Sequence, residues 1–208
     1  MTGFLEIAST SSVQAVQHAN GSDEFCARLK GTRAFDHFTQ LEAQFIAERD
    51  SFYMATVSET GWPYVQHRGG PAGFLRVLDD QTLGFADFHG NRQYISVGNL
   101  SADDRVCLML MDYSHCRRLK IYAHTEARDL GADQALADRF AIPDYAAKPE
   151  RALLLHLEAF DWNCSQHITP RFSVAELERT LLPVRQRMEQ LESENRMLRQ
   201  RFMRSNGE

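Results

Sequence analysis

The fold is decided by residues 52–93, which read FYMATVSETGWPYVQHRGGPAGFLRVLDDQTLGFADFHGNRQ. Four short runs in this stretch are rich in aromatic and apolar residues and predict β-strands: 52–57, 63–68, 73–78 and 82–88. Turn-forming residues separate them, Gly61-Trp62-Pro63 after the first run and Asp79-Asp80-Gln81 before the last. The stretch therefore predicts several strands joined by tight turns.

Two segments of this stretch carry the functional candidates. Residues 66–70 (QHRGG) end one predicted strand, and residues 87–93 (DFHGNRQ) lead from another strand into a predicted helix over 91–97. Asn91 and Arg92 at a helix start would offer backbone N–H groups, a positive dipole end and a guanidinium, which together suit a phosphate. Arg68 from the neighbouring strand would close on the same anion. The alternative is an ordinary strand–turn–helix whose arginines are solvated or ion-paired.

Composition excludes several classes of protein. The 208 residues carry a net charge of −5, which argues against non-specific binding to nucleic acid or to an anionic membrane. None of the four cysteines forms a Cys-x-x-Cys pair, and the histidines lack metal-ligand spacing, so we expect no metal site. The N-terminus has no signal-peptide pattern and no apolar run is long enough to cross a membrane. These features predict a cytoplasmic protein with free thiols.

The rest of the chain divides into three predicted regions: a helical segment over 1–50, a β-rich domain over 51–172 and a C-terminal helix over 173–208. In the first region we expect a short helix capped by residues 9–12 and a second helix from about 34 to 49. In the second we expect strands over 105–111, 118–128 and 152–162, a helix over 132–140, and a helix C-cap at Gly98-Asn99.

The C-terminal helix has a clear start and a heptad pattern. Ser173 and Glu176 match a capping box, and Pro183 is expected to interrupt or kink the helix. Beyond it an apolar stripe with one asparagine follows spacings of four and three: Val184, Met188, Leu191, Asn195, Leu198 and Phe202. The stripe predicts either pairing with a second copy or packing on the chain's own β-domain.

Residues 45–172 resemble the pyridoxamine 5'-phosphate oxidase-like flavoproteins, particularly a subgroup of predicted flavin-nucleotide-binding proteins. The resemblance is carried by Val-Gln-His-Arg-Gly-Gly at 65–70 and by Asp-Trp-Asn-Cys-x-Gln-His at 161–167. It implies a mainly β fold with peripheral helices (α+β), namely a split β-barrel of the FMN-binding type. It also implies a homodimer that holds FMN at the subunit interface.

The resemblance also implies which residues bind the cofactor. The phosphate and the ring edge would be contacted by Gln66, His67, Arg68 and Gly69, and the ring by the backbone of Ala86 and Asp87. Asn91, Arg92 and Gln93 take the phosphate-binding positions, where Gln93 replaces a lysine of the family pattern. Arg118 replaces a glutamine and would stabilise negative charge on the ring. Trp162, Asn163 and Gln166 would come from the other subunit.

The expected function is that of an FMN-dependent oxidoreductase acting on an unidentified small molecule. Oxidation of pyridoxamine 5'-phosphate itself is not expected, because the family enzyme's C-terminal Arg-x-His segment has no match here. No catalytic residue stands out, since Gly-x-Ser-x-Gly and Gly-x-Gly-x-x-Gly patterns are both missing. Two alternatives stay open: a haem-binding or haem-degrading split barrel, and a non-enzymatic flavin carrier or sensor.

Overall fold

The computed structural model describes residues 3–29, 36–162 and 165–205. The chain forms two compact units, Met1–Ile168 and Thr169–Glu208. The first unit contains a β-sheet with several helices, and the second contains one long helix.

Helices precede the sheet. The structure gives α1 (Phe4–Ala8), α2 (Ser11–Ala19), α3 (Asp23–Leu29) and α4 (Gln40–Ala47). The predicted short helix is α2, whose N-cap Thr10 accepts a hydrogen bond from the backbone N–H of Val13. The second predicted helix begins later than expected, at Gln40, because Thr39 caps it and Glu42 completes a capping box. Positions 34 and 35 of that prediction lie outside the described residues.

The sheet has seven strands, all paired antiparallel, in the order β2-β1-β5-β6-β7-β4-β3. The strands are β1 (Ser51–Val57), β2 (Pro63–Gly69), β3 (Arg76–Val77), β4 (Thr82–Phe88), β5 (Arg105–Asp112), β6 (Arg117–Arg128) and β7 (Pro149–Trp162). Two further helices are α5 (Ile95–Ala102) and α6 (Gln134–Phe140). The strand predicted over 73–78 is shortened to two residues, because Gly73 has a φ of +80° and Phe74 closes a turn onto Pro71.

One ion pair shows that the sheet closes on itself. The β2 and β4 strands are five steps apart in the strand order, which would separate them by about 24 Å in a flat sheet. Arg68 Nη1 of β2 nevertheless lies 2.5 Å from Asp87 Oδ1 of β4. The sheet therefore curls into a split β-barrel, and the predicted fold class is confirmed.

The core fills the inside of this barrel. Alternate residues of β1, β5 and β6 point inward and are fully buried: Phe52, Met54, Leu108, Leu110, Leu119 and Ile121. Phe45 and Ile46 of α4 belong to the same core cluster. Residues at the intervening positions of these strands face outward, which is the period-two pattern predicted for 118–128.

Helix α7 (Val174–Ser205) has 32 residues and continues through Pro183, so the expected interruption does not occur. The predicted capping box is confirmed, because Ser173 Oγ accepts from the Glu176 backbone N–H while Glu176 Oε2 accepts from the Ser173 N–H. Across the described parts of the chain, no helix combines the length and apolarity needed to cross a membrane.

Candidate functional site

A cavity of about 180 Å³ lies where the inner side of β2, the end of β4 and the start of α5 meet. Several predicted site residues contribute to its wall: Gln66, Arg68, Asp87, Asn91, Arg92 and Gln93. The remaining wall residues are Tyr64, Phe88, Gly90, Tyr94, Ile95, Ser96, Val97 and Glu150. The two segments singled out in the sequence are thus brought together.

The alternation of β2 selects which of its side chains reach the cavity. Tyr64, Gln66 and Arg68 occupy one face of the strand and are partly buried, while the intervening residues are exposed. The Gln66 side-chain oxygen accepts a hydrogen bond of 2.7 Å from Ser96 Oγ. The wall formed by β2 is therefore polar and is tied directly to α5.

The loop after β4 contributes residues 90–94 to the cavity wall. Helix α5 begins at Ile95, not at Asn91 as predicted. Residues 91–93 form a turn in which the Asn91 side chain accepts from the Gln93 N–H at 3.1 Å. Arg92 and Tyr94 both have positive φ angles, 64° and 51°. Right-handed helical residues have negative φ angles, so the helix cannot begin before Ile95. Non-glycine residues in this region are strained, and such strain concentrates at functional sites.

Helix α5 is held in place by two hydrogen bonds and by Leu100, which packs against the core. Ser96 bonds to Gln66 of β2, and Asn99 Nδ2 donates to Thr56 Oγ1 of β1 at 2.9 Å, both within the buried part of the helix. The predicted C-cap at Gly98-Asn99 is therefore wrong, because Asn99 is an anchor inside the helix, which ends at Ala102. This fastening places the first turn of α5 at the cavity wall. The free N–H groups and positive dipole end of that turn favour an anion.

A buried carboxylate organises the positive charge of the site. Asp87 is 5% exposed and interacts with two arginines, Arg68 at 2.5 Å and Arg151 of β7 at 3.6 Å. The Nε atoms of both arginines are buried without a hydrogen-bond partner. Arg151 also pairs with Glu150 at 3.0 Å, so the two guanidinium groups are balanced by two carboxylates, and Arg92 at the rim gives the site one net positive charge. The alternative interpretation of the arginines thus holds in part, since Arg68 is ion-paired.

Glu150 forms a second polar cluster at the rim of the cavity. Its Oε1 lies 2.6 Å from His89 Nδ1 and accepts a hydrogen bond of 3.0 Å from the Tyr94 hydroxyl. Burial favours the neutral acid, but the hydrogen bonds from His89, Tyr94 and Arg151 outweigh it and lower the Glu150 pKa below its ordinary value of 4.5. The carboxylate therefore fixes Tyr94, and with it the strained turn that precedes α5.

Other predicted site residues lie away from the cavity. His67 occupies the outer face of β2, where its ring meets that of Tyr53 edge-on, and Gly69 shares that face. Ala86 is buried in a small core cluster with Phe140. Arg118 lies on the outer face of β6, opposite Met111 of β5, with a buried Nε that lacks a hydrogen-bond partner. None of these four predicted site residues lines the cavity.

The last predicted group comes from the end of β7. Trp162 Nε1 donates to Glu42 Oε1 at 2.7 Å, and its ring packs edge-on against Phe45 of α4. Trp162 therefore fastens α4 to the barrel of its own chain. Gln166 lies in the turn that follows β7, and Asn163 lies outside the described residues.

Sequence reasoning missed several wall residues, for different reasons. Tyr64 was detectable, since it shares the two-residue period of Gln66 and Arg68. Glu150 was not, because it reaches the site only through the pairing of β7 with β4. Among the described residues no group of three or more His, Cys, Asp or Glu side chains is arranged to hold a metal ion. The cavity wall is thus suited to binding an anion and contains no nucleophile paired with a base.

Comparison with known proteins gives the following matches. The family model described as pyridoxamine 5'-phosphate oxidase matches residues 38–160, more than half of the chain. No curated protein matches significantly. Among solved structures, HupZ of group A Streptococcus is 16% identical and covers 65% of this chain and 99% of its own, with a TM-score of 0.46.

Two further solved structures are named for their ligands. An FMN-binding protein from Syntrophomonas wolfei is 14% identical over 58% of this chain and 81% of its own, with a TM-score of 0.44. A FAD-binding protein from Mesorhizobium loti is 14% identical over 61% of this chain and 94% of its own, with a TM-score of 0.43.

Proposed function

Because the chain belongs to the pyridoxamine 5'-phosphate oxidase family, we propose that it is an FMN-binding flavoprotein that acts as an oxidoreductase on a small molecule. We further propose that it works as a homodimer with the flavin at the subunit interface. The observation that carries the proposal is the cavity at the start of α5, where two arginines and the first turn of a helix converge. These groups match the phosphate of FMN.

The chemistry of the cavity fits the polar half of FMN. Arg92 and the first turn of α5 offer charge and N–H groups to a phosphate, and Arg68 adds a buried Nε that has no partner in the protein. Gln66 and Ser96 supply side-chain polar groups for the hydroxyls of a ribityl chain. Asp87 keeps Arg68 in place, so the binding groups are arranged before the ligand arrives.

The size of the cavity supports a second copy as part of the site. About 180 Å³ is below the roughly 300–1,000 Å³ of typical small-molecule pockets. One protomer can therefore enclose the phosphate end, while the isoalloxazine ring needs a further surface. His67 and Arg118, which the family resemblance assigns to the flavin, lie on the outer sheet face and are suited to contact a ligand held by the partner.

The outer face of β1, β2 and β5 has the composition of an interface. Val57, Val65 and Met109 are exposed there, and the strand pairing places Ala55 beside Val65 and Tyr53 beside Met109. A continuous apolar patch on a sheet favours contact with another protein surface. We assign it to a second copy of the chain, since that arrangement brings two cavities and two outer faces together.

When bound, FMN would supply the redox chemistry, and the protein would bind and orient it. The two carboxylates of the cavity wall, Asp87 and Glu150, are both paired with arginines, and we assign the chain an electrostatic and positional contribution. Arg68, Arg92 and the first turn of α5 would hold the phosphate end. The apolar sheet face of a second copy would exclude water from the ring.

The test is the identity and affinity of the bound small molecule. Purified protein should carry a yellow chromophore with the mass of FMN, and the apoprotein should bind FMN much more tightly than riboflavin, which lacks the phosphate. Equal affinities would contradict the assignment of the cavity to the phosphate. A Soret band in place of flavin absorption would overturn the flavin proposal in favour of haem.

A second measurement separates an enzyme from a carrier. Loss of flavin absorbance on addition of NADH or NADPH without oxygen, and its return with an electron acceptor, would support an oxidoreductase that uses a nicotinamide donor. Flavin that stays oxidised under both donors would exclude a nicotinamide as the donor while leaving the binding site intact.

A further inference from the structure

Helix α7 has an apolar stripe that extends along its whole length. Its positions follow alternating spacings of three and four: Val174, Leu177, Leu181, Val184, Met188, Leu191, Asn195, Leu198 and Phe202. All are exposed, with apolar members between 44% and 73%. The repeat averages 3.5 residues, which is the period of a two-stranded coiled coil and not of a straight helix. Over 32 residues the helix is about 48 Å long.

Assigning heptad letters shows how the stripe is built. Leu177, Val184, Leu191 and Leu198 fall at d, while Leu181, Met188, Asn195 and Phe202 fall at a. Pro183 falls at c, outside the seam, so its ring does not obstruct a partner helix. The proline therefore leaves the seam continuous.

Asn195 decides the orientation of a partner helix. A single asparagine at an a position costs stability but favours a parallel pair in one register, because the two asparagines then meet and bond to each other. In an antiparallel pair, a positions face d positions. Asn195 would then lie against an apolar side chain, with its amide desolvated and unpaired.

The flanking charges agree with the same arrangement. In a parallel pair each g residue faces the e residue of the next heptad on the other helix. Arg187 at g would face Glu192 at e, and Glu194 at g would face Arg199 at e. Both pairs are of opposite charge, and each pair forms twice, once from each helix to the other. Residues five apart do not face each other within one helix, so these pairs have no role inside a single α7.

We infer that α7 pairs with α7 of a second copy of this chain as a parallel, in-register coiled coil. The inference does not depend on flavin binding, since every residue that carries it lies beyond Ile168. It gives the protein an interface of its own, separate from the outer face of the sheet. The alternative occupant, the chain's own β-domain, is an outcome of the test below.

Disulfide crosslinking of the full chain tests this geometry. Val184→Cys and Leu198→Cys, 14 residues apart, are made as separate variants and oxidised with copper phenanthroline. A disulfide needs Cβ atoms about 4 Å apart, so both variants form covalent dimers only if the helices are parallel and in register. Gln200→Cys at the outward f position is the matched control. It should remain monomeric on a denaturing gel, as should the wild type, whose native cysteines set the background.

Two results would overturn the inference. If neither variant crosslinks above the Gln200→Cys background while circular dichroism shows intact helix, the two stripes do not meet. If crosslinks form only in mixtures that combine Val184→Cys, at d, with a cysteine at an a position (Leu181→Cys, Met188→Cys or Phe202→Cys), the helices are antiparallel.

A charge swap gives an independent readout. Arg187→Glu should reduce the crosslinking of Leu198→Cys, because the introduced carboxylate would face Glu192 of the partner subunit, and adding Glu192→Arg should restore it. Failure of the second change to restore crosslinking would contradict the proposed register.

Discussion

Two arginines at the cavity have different roles, although both were predicted to bind phosphate. Arg68 is 13% exposed and is paired with buried Asp87, so its removal would leave a buried carboxylate with only the longer contact to Arg151. Breaking such a pair costs about 3–5 kcal/mol of folding stability. Arg92 lies at the exposed rim. Weak FMN binding by an Arg68 variant would therefore reflect both lost folding stability and a lost contact to the phosphate. A substitution of Arg92 tests the contact to the phosphate alone.

Arg92→Ala should weaken FMN binding at least about tenfold, because a charge-assisted bond to phosphate contributes roughly 1.5–3 kcal/mol. Riboflavin affinity should not change, since riboflavin has no phosphate. Arg128→Ala on β6 is the control, an exposed arginine that pairs with Glu126 outside the cavity wall. Fluorescence quenching of added flavin measures these affinities. A similar loss of riboflavin binding would show that Arg92 shapes the site without contacting phosphate.

Gly84 of β4 lies where the barrel wall has no room for a side chain. A Cβ atom built there would be 2.5 Å from Phe140 Cζ and 3.1 Å from Leu78 Cδ1. Phe140 is itself buried, so its ring cannot move aside freely. Gly84→Ala should destabilise the fold by about 1–3 kcal/mol in urea unfolding.

Gly98→Ala is the matched control for this substitution. Gly98 lies inside α5 with nothing within 4 Å of a built Cβ. Alanine there should be neutral or stabilise the protein by about 0.5–1 kcal/mol, because glycine is unfavourable inside a helix. Equal effects at the two glycines would contradict the packing described for Gly84.

At the scale of elements, the barrel positions its helices through polar contacts that cross long stretches of sequence. Helix α4 is fastened by the bond from Trp162 to Glu42, and α5 by bonds from Ser96 and Asn99. Glu42 is only 4% exposed and also accepts from Thr39. Burial alone would raise the Glu42 pKa, but the bonds from Thr39 and Trp162 outweigh burial and lower the pKa below its ordinary value of 4.5.

This lowered pKa predicts a pH dependence of stability. A carboxyl group with a depressed pKa stabilises the fold above its unfolded value of 4.5, and that stability is lost as pH falls through the folded pKa. Glu42→Gln should therefore be less stable than wild type by about 1–3 kcal/mol at pH 7, with a gap that narrows below pH 4.5. Urea unfolding at several pH values measures it.

Glu48→Gln is the control for this effect. Its carboxylate is 53% exposed and pairs with Arg49, so the substitution should change stability by less than about 1 kcal/mol. The difference in unfolding free energy between wild type and Glu42→Gln could instead stay constant down to about pH 3, well below the ordinary glutamate pKa. That result would mean that the carboxylate charge is not what fastens α4.

At the scale of the whole molecule, the proposed flavin site needs two barrels. Val65→Glu places a charge in the middle of the exposed apolar patch on the outer sheet face, at a side chain 61% exposed. Burying that charge at an interface is costly, so we expect the barrel interface to open and FMN affinity to fall at least about tenfold. Sedimentation velocity and flavin titration measure the two effects.

Val16→Glu is a matched control for the added charge. Val16 is 62% exposed, but it lies on α2 and not on the sheet face. Val16→Glu should leave both dimer assembly and FMN affinity unchanged. If Val65→Glu opens the interface but still binds FMN as tightly as wild type, the flavin is held within one protomer. Deletion of residues 184–208 in both variants removes the contribution of the C-terminal two thirds of α7.

Local signals determined much of this protein. Alternation with a period of two predicted a strand over 118–128, which the structure has as Arg117–Arg128, because a sheet residue and its second neighbour share one environment. The capping box at Ser173 and Glu176 predicted the start of α7, since its hydrogen bonds join residues only three apart. Residues 52–93, together with the family resemblance, predicted the fold class and the two segments that meet at the cavity.

The tertiary structure decided what depends on distant partners. Helix α5 starts at Ile95 because Tyr94 is held by Glu150, 56 residues away, and the helix is bonded to Gln66, 30 residues away from Ser96. Trp162 fastens α4 because Glu42, 120 residues earlier, offers a buried acceptor. The pairing of β4 with β7 brings Arg151 beside Asp87. The two residues of each such contact are far apart in the chain, so no short segment of sequence contains both. Only the closed barrel brings them together.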